Sequence, residues 1–169
     1  MKIITKFTVA TEQGIDALLM LTKKLALEKF DSLLKKEEID KYITEHFNTK
    51  TLINEINSMS NQWLVVYVGD APAGYARITT KGERPDLIDG KRAIRIADFG
   101  VLQQYMQAEV MHSLLDKCVG VCSAYEAIWI NEHVKSVYIE LFQQNGFVLQ
   151  EKEMTALDNL PLPSIYLIR

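Results

Sequence analysis

Six consecutive residues, Trp63-Leu-Val-Val-Tyr-Val68, form a nearly continuous apolar run. A strand sends alternate side chains to opposite faces, so a strand built from this run needs apolar cover on both sides. Gly69-Asp70-Ala-Pro72 supplies a turn, and Gly74 to Thr80 returns as the second strand of a hairpin. A sheet of this kind takes helices on both faces, which places the chain in the mixed α/β class.

The flanking segments carry those helices. Ile3 to Val9 reads as a short strand, and Thr11 can cap a helix in which Ile15, Leu18, Leu19, Thr22, Leu25 and Ala26 share one face. Charged helical stretches follow over about 35–47 and about 51–59, with Asn48-Thr49 as a stop and restart. A polar loop over 81–91 leads to a strand from Ala93 to Val101. An amphipathic helix from Gln107 to Val121 runs through Val110, Met111, Leu114, Leu115 and Cys118 toward Cys122. Ala127 to Ile130 is a short buried strand. Val134 to Gln144 reads as a helix with Val137, Tyr138, Leu141 and Phe142 on its apolar face. Gly146 ends it, because glycine accepts a left-handed conformation. Strands from Phe147 to Met154 and from Ile165 to Ile168 complete the order β-α-α-β-β-β-α-β-α-β-β.

Composition narrows the function classes. The 169 residues suit one domain, residues 1–169, without a linker, repeat or low-complexity tract. A content of 48% hydrophobic and 24% charged residues excludes disordered and collagen-like chains. There are 19 basic and 22 acidic residues, a formal net charge of −3, so nucleic acid is not an expected partner. Charges at Lys2, Lys6, Glu12, Asp16, Lys23 and Lys24 interrupt the first thirty residues, so neither a signal peptide nor a membrane span is expected there. Cys118 and Cys122 lack the further ligands of a zinc site and read as buried thiols, with no metal expected and a cytoplasmic location.

The element order, with Trp129-Ile-Asn131, Leu141-Phe142-Gln-Gln-Asn-Gly146 and Phe147, resembles the GCN5-related N-acetyltransferase superfamily. The run from His46-Phe47-Asn48-Thr49 through Leu52, Glu55-Ile56 and Met59-Ser60-Asn61-Gln62-Trp63, then Ala73-Gly74-Tyr75-Ala76, is similar to bacterial spermine/spermidine-type polyamine acetyltransferases. The resemblance spans nearly the whole chain. It implies a mixed, mostly antiparallel sheet of about seven strands flanked by helices, acetyl-CoA as co-substrate, and a small amine or polyamine as acceptor.

The resemblance also assigns sites. Acetyl-CoA's pyrophosphate would sit at the N-terminus of the helix after the fourth strand, where backbone N–H groups and the helix dipole favour an anion. That places Val101, Met106, Gln107, Ala108, Glu109, Val110 and Met111 in the loop. Met106, Glu109 and Met111 fall on the family's Gln/Arg, Gly and Gly/Ala positions, and Glu109 would put the chain's own carboxylate where a phosphate is expected. Lys135 falls on the family's frequent Asn, Tyr138 on a small residue, and Phe142 on the tyrosine proposed to protonate the leaving thiolate. Phenylalanine has no proton to give, and Tyr138 stands one turn earlier, either as a substitute donor or as a core aromatic filling the cleft. The fourth-strand carboxylate would map to Ala97. Its neighbour Asp98 faces the same side only if a bulge shifts it, which Gly100 permits. His112 reads as a surface residue, and His46 and His133 flank loops.

Two functions follow. One is acetyl transfer from acetyl-CoA to a small amine, weakened by the altered loop and the missing phenol. The other is a non-catalytic ligand-binding, regulatory or dimerisation module on the same fold. The last strand, with Ile165 and Leu167, can pair within the sheet or across a homodimer.

Overall fold

The computed structural model describes residues 1–169. Its strands are β1 (Ile3–Phe7), β2 (Asn61–Val68), β3 (Ala71–Thr79), β4 (Ala93–Val101), β5 (Ala127–His133), β6 (Val148–Met154) and β7 (Ser164–Ile168). They form one sheet in the order β1-β2-β3-β4-β5-β7-β6, antiparallel except between β4 and β5. The final strand therefore lies inside the sheet between β5 and β6. The helices are α1 (Glu12–Phe30), α2 (Lys36–His46), α3 (Thr49–Asn57), α4 (Ala108–Val121) and α5 (Ile139–Gln144). No helix is long and apolar enough to cross a membrane.

Helices cover both faces, as the apolar run of β2 requires. Leu64 and Val66 face α4 and α5 in a core with Ile78, Ile96, Phe99 and Leu114. Trp63 and Val65 face the other way, against Leu18, Leu21, Leu25 and Leu52 of α1 and α3. All four β2 residues are buried, and burial of such side chains contributes roughly 1.5–3 kcal/mol each.

Three helices separate β1 from β2: the three helical stretches read from sequence are all present, one more than the written element order counted. The Asn48 side chain accepts the Thr51 N–H at 2.9 Å and starts a new helix just after Phe47 closes α2. The last helix begins at Ile139 rather than Val134. The Ser136 hydroxyl accepts the Tyr138 N–H at 3.2 Å, and the Ser136 N–H bonds His133 O, which holds 134–138 in turns. β5 continues three residues past Ile130, because Asn131, Glu132 and His133 pair with β7.

Two irregularities shape the middle of the sheet. β4 and β5 pair only where Ala93, Ile94 and Arg95 meet Ala127, Ile128 and Trp129; beyond that they diverge and leave a gap. The register of β4 against β3 slips between Arg77 and Ile78, so Ala97 is an extra residue in β4. The bulge turns Asp98 to the α1–α3 face beside its cross-strand neighbour Arg77, while Phe99 and Val101 enter the α4 core.

β3 approaches this bulged stretch closely. A Cβ on Gly74 would lie 2.9 Å from Val101 Cα and nearer still to Gly100 O, both backbone atoms that cannot yield. Gly74→Ala is expected to lower stability by more than about 2 kcal/mol, read as a fall in the urea midpoint at unchanged m-value.

Candidate active site

The gap leaves the β5-facing edge of β4 without a partner strand, and buried backbone groups left unpaired are costly. The chain supplies the missing partners itself. Lys29, in the last turn of α1, donates from Nζ to Phe99 O at 2.6 Å. Val101 N–H donates to Tyr138 Oη at 3.0 Å, and the Tyr138 hydroxyl donates back to Val101 O at 3.1 Å. Gln103 N–H donates to Glu28 Oε2 at 3.0 Å. Residues 99, 101 and 103 are alternate positions, so their groups face one edge. Lys29 Nζ also lies 5.6 Å from the centre of the Tyr138 ring, which ties two of the plugging side chains together.

A cavity opens on each side of this closure. The mouth cavity, about 380 Å³, is lined by Lys29, Gln103, Met106, His133, Lys135 and Tyr138. The opposite cavity, about 350 Å³, lies under α2 and α3 and is lined by Tyr42, Glu55, Trp63, Arg77, Arg95 and Asp98. A void of about 30 Å³ lies between them; it shares Lys29 with the first and Asp98 with the second, and adds Ala97, Asn131 and Glu132.

Charges at the junction are held unequally. Burial alone would raise the Asp98 pKa, but the guanidinium of Arg77, whose Nε lies 3.1 Å away, and then Lys29 outweigh it. The Asp98 carboxyl thus stays below the usual carboxylate range. Glu132 goes the other way: burial raises it, and Lys29 only partly offsets the rise. Burial, aided by Lys29, pushes His133 down to about 4, so its ring is neutral at pH 7. Burial lifts the Tyr138 phenol to about 12, leaving it a neutral donor. Cys118 and Cys122 are buried free thiols, and burial raises both.

The residues named from sequence are not all brought together. Asp98 reaches the junction, through the bulge. Val101, Met106, Lys135 and Tyr138 surround the mouth. The loop residues lie at the start of α4. Gln107 accepts the first α4 hydrogen bonds through its carbonyl, Ala108 and Glu109 are exposed, and Val110 is buried in the core. Met111 packs against that core instead of crowding the mouth, because it flanks the buried stripe of Val110, Leu114 and Cys118. The carboxylate that takes a loop N–H is Glu28 of α1, not Glu109. Tyr138 precedes α5 as a buried cleft-filling aromatic, and Phe142 is fully buried against Phe99 and Phe147. His46 lines the α2–α3 cavity, and His112 is half-buried outside both cavities.

Sequence reasoning missed Glu28, Lys29, Arg77, Arg95, Glu132 and Asp158. One signal was available: Lys29 stands four residues after Leu25, so it falls on the apolar stripe of α1.

The shifted groups set a pH dependence. As pH falls from 6.5 toward 4, the unfolded chain gains a proton that folded His133 refuses, so stability is lost across that window. Glu132 has the opposite sign. Its folded pKa exceeds the unfolded one, so its contribution is lost as pH rises above the ordinary carboxylate range. Glu132→Gln should therefore raise the melting temperature at pH 8 and leave it nearly unchanged at pH 4, whereas His133→Gln should flatten the loss between pH 6.5 and 4. Equal melting of Glu132→Gln and the parent at pH 8 would contradict this burial of charge.

No family model matches the chain. Among solved structures it is similar over its whole length to the PaiA N-acetyltransferase of Thermoplasma acidophilum in complex with coenzyme A: TM-score 0.80, 12% identity, covering 100% of this chain and 99% of that one. A putative GNAT-family acetyltransferase from Desulfovibrio desulfuricans aligns with TM-score 0.67 and 12% identity over 99% and 98% of the two chains. Arabidopsis thaliana Naa50, in complex with the bisubstrate analogue CoA-Ac-MVNAL, gives 0.61 and 14% over 98% and 97%. The seven-stranded sheet flanked by helices on both faces thus has the fold of these GNAT-family acetyltransferase structures.

Proposed function

We propose that the chain is an acetyl-CoA-dependent N-acetyltransferase of small amines whose cofactor-side cleft is closed in the free protein by its own Glu28, Lys29 and Tyr138. The observation that carries this reading is the gap itself. Cavities open on both sides of the sheet's split, with Asp98 and Glu132 lining the small void between them, so a donor and an acceptor have opposite mouths from which to approach. Coenzyme A in the Thermoplasma protein and the bisubstrate analogue in the Arabidopsis one support assigning the mouth to acetyl-CoA.

The residues present fit such a ligand chemically. Lys135 lines the mouth, and α4 begins beside it with no side-chain cap on its first turn. The β4 edge offers backbone groups at Phe99, Val101 and Gln103 to an amide-bearing chain once the chain's own side chains withdraw. Acetyl-CoA supplies the activated acetyl group when bound. The attacking amine must be neutral, and Glu132, held above the ordinary carboxylate range, is a stronger base than the Arg77-bound Asp98. Tyr138 keeps its proton at Oη, whereas Phe142 has none to offer.

Closure sets a magnitude. Three buried or part-buried hydrogen bonds at about 1 kcal/mol each would weaken ligand entry by about 3 kcal/mol, on the order of a hundredfold in affinity. That same closure, with the absent phenol at 142, favours a second reading: a non-catalytic ligand-binding or regulatory module. Either way the acceptor side remains a cavity suited to a small molecule, with a polyamine as one candidate amine and a second copy of the chain as a candidate partner.

Thermal melting with acetyl-CoA at about 1 mM separates the readings, since a dissociation constant of about 10 μM would add roughly 2.7 kcal/mol. Lys29→Ala combined with Glu28→Ala, which keeps the Tyr138 hydroxyl, is expected to tighten acetyl-CoA at least tenfold over the parent, and to release free thiol when a panel of small amines including spermidine is added. If the double variant folds and acetyl-CoA still leaves its melting unmoved, acetyl transfer is wrong and the non-catalytic reading stands.

A further inference from the structure

The cavity under α2 and α3 holds an unusual arrangement of charge. Arg95 is 6% exposed, stacked at 4.8 Å on the Trp129 ring, and crowded from the side by Gly82. Its anionic partner is Asp158, from the loop between β6 and β7, with both carboxylate oxygens on the single nitrogen Nη2 at 2.9 and 3.0 Å. Arg95 Nε is buried without any hydrogen-bond partner. Asp158 is half-exposed and is the only non-glycine residue with positive φ, at 48°. A fixed, buried guanidinium is therefore answered by a carboxylate on a strained, solvent-facing loop residue, which engages only part of its donor fork.

The other end of the cavity has the opposite imbalance. Arg77 lies 3.1 Å from Asp98 and 3.5 Å from Glu55, so within the cavity lining two carboxylates share one guanidinium, with Lys29 acting on Asp98 only from the gap side. If Asp158 swings out, Arg95 becomes the unmatched positive charge. The cavity then presents one anionic and one cationic end along the same face of β3 and β4. A purely cationic polyamine would answer the first end alone, leaving Asp158 on Arg95 and the buried Arg95 Nε still without a partner.

Resting on the acceptor-side assignment above, we propose that this cavity binds an amino acid, a small amine carrying its own carboxylate. The carboxylate takes the place of Asp158 on Arg95 and the amine turns toward Asp98 and Glu55. Asp158 is then a stand-in for the ligand's carboxylate in the free protein. A volume of about 350 Å³ suits a molecule of this size.

The test is binding to the full chain without acetyl-CoA, so it does not depend on transfer. Thermal shift followed by calorimetry would use the twenty L-amino acids, γ-aminobutyrate, putrescine and spermidine. At least one amino acid should bind, with the matching decarboxylated amine at least tenfold weaker. Asp158→Asn tolerates positive φ and removes the competing charge, and is expected to tighten that amino acid about tenfold. Arg95→Gln should abolish its binding; Arg95→Lys, which keeps the charge, checks folding and should bind weakly. Binding of spermidine but of no amino acid, no binding by any probe, or an affinity unmoved by Asp158→Asn would each overturn the proposal. Amino-acid binding with no thiol release from acetyl-CoA would leave it standing and remove acetyl transfer alone. Transfer to spermidine without amino-acid binding would do the reverse.

Discussion

An unpaired strand edge in the middle of a sheet is the constraint around which this molecule is arranged. β4 runs on to Val101 after β5 has turned away, so its outward backbone groups have no strand to meet. Burial forbids leaving those of Phe99 and Val101 bare, while Gln103 is exposed. Lys29, Tyr138 and Glu28 meet them from α1 and from the turn before α5, elements that pack on the gap from separate directions. The same contacts that complete the core therefore decide what the cleft can admit. Ligand entry has to compete with intramolecular groups already in place.

The bulge at Ala97 links this edge to the opposite cavity. It moves Asp98 onto the α1–α3 face, where Arg77 and Glu55 complete a charged cluster backed by Trp63. It also leaves Phe99 and Val101 in the α4 core, with their backbone directed to the gap. One extra residue thus sorts β4 into an acceptor-facing carboxylate and a donor-facing edge. Gly74 and Gly100 allow it: a Cβ at Gly74 would meet β4 backbone, and one at Gly100 would press on Leu25 and on Lys29 Cε at 3.1 Å.

The legible part of this structure is the part written in periodicity. The apolar run at 63–68, the α1 stripe from Ile15 to Ala26, and the cap at Asn48 each act locally, and each element formed where its pattern stands. The stretch 134–138 misled because Val134, Val137, Tyr138 and Leu141 keep helical spacing. The Ser136 hydroxyl competes for the backbone there, and periodicity carries no trace of that hydrogen bond. The site was legible only in outline. Asp98, Tyr138 and Lys135 could be named through the family resemblance, counted from the β4 strand and from Gly146-Phe147. Lys29 bonds a carbonyl seventy residues away, Asp158 bonds an arginine sixty-three away, and Glu28 bonds the Gln103 N–H; such pairings are set by how α1 and the β6–β7 loop pack.

Amide hydrogen exchange at Val101, followed by NMR in the parent and in Tyr138→Phe, tests the self-closed edge most directly. If the Tyr138 hydroxyl holds that amide, Val101 exchanges slowly in the parent, and at least tenfold faster in the variant while the β3-paired amides of β4 keep their rates. Equal Val101 rates in the two proteins, or a Val101 amide already unprotected in the parent, would contradict the account.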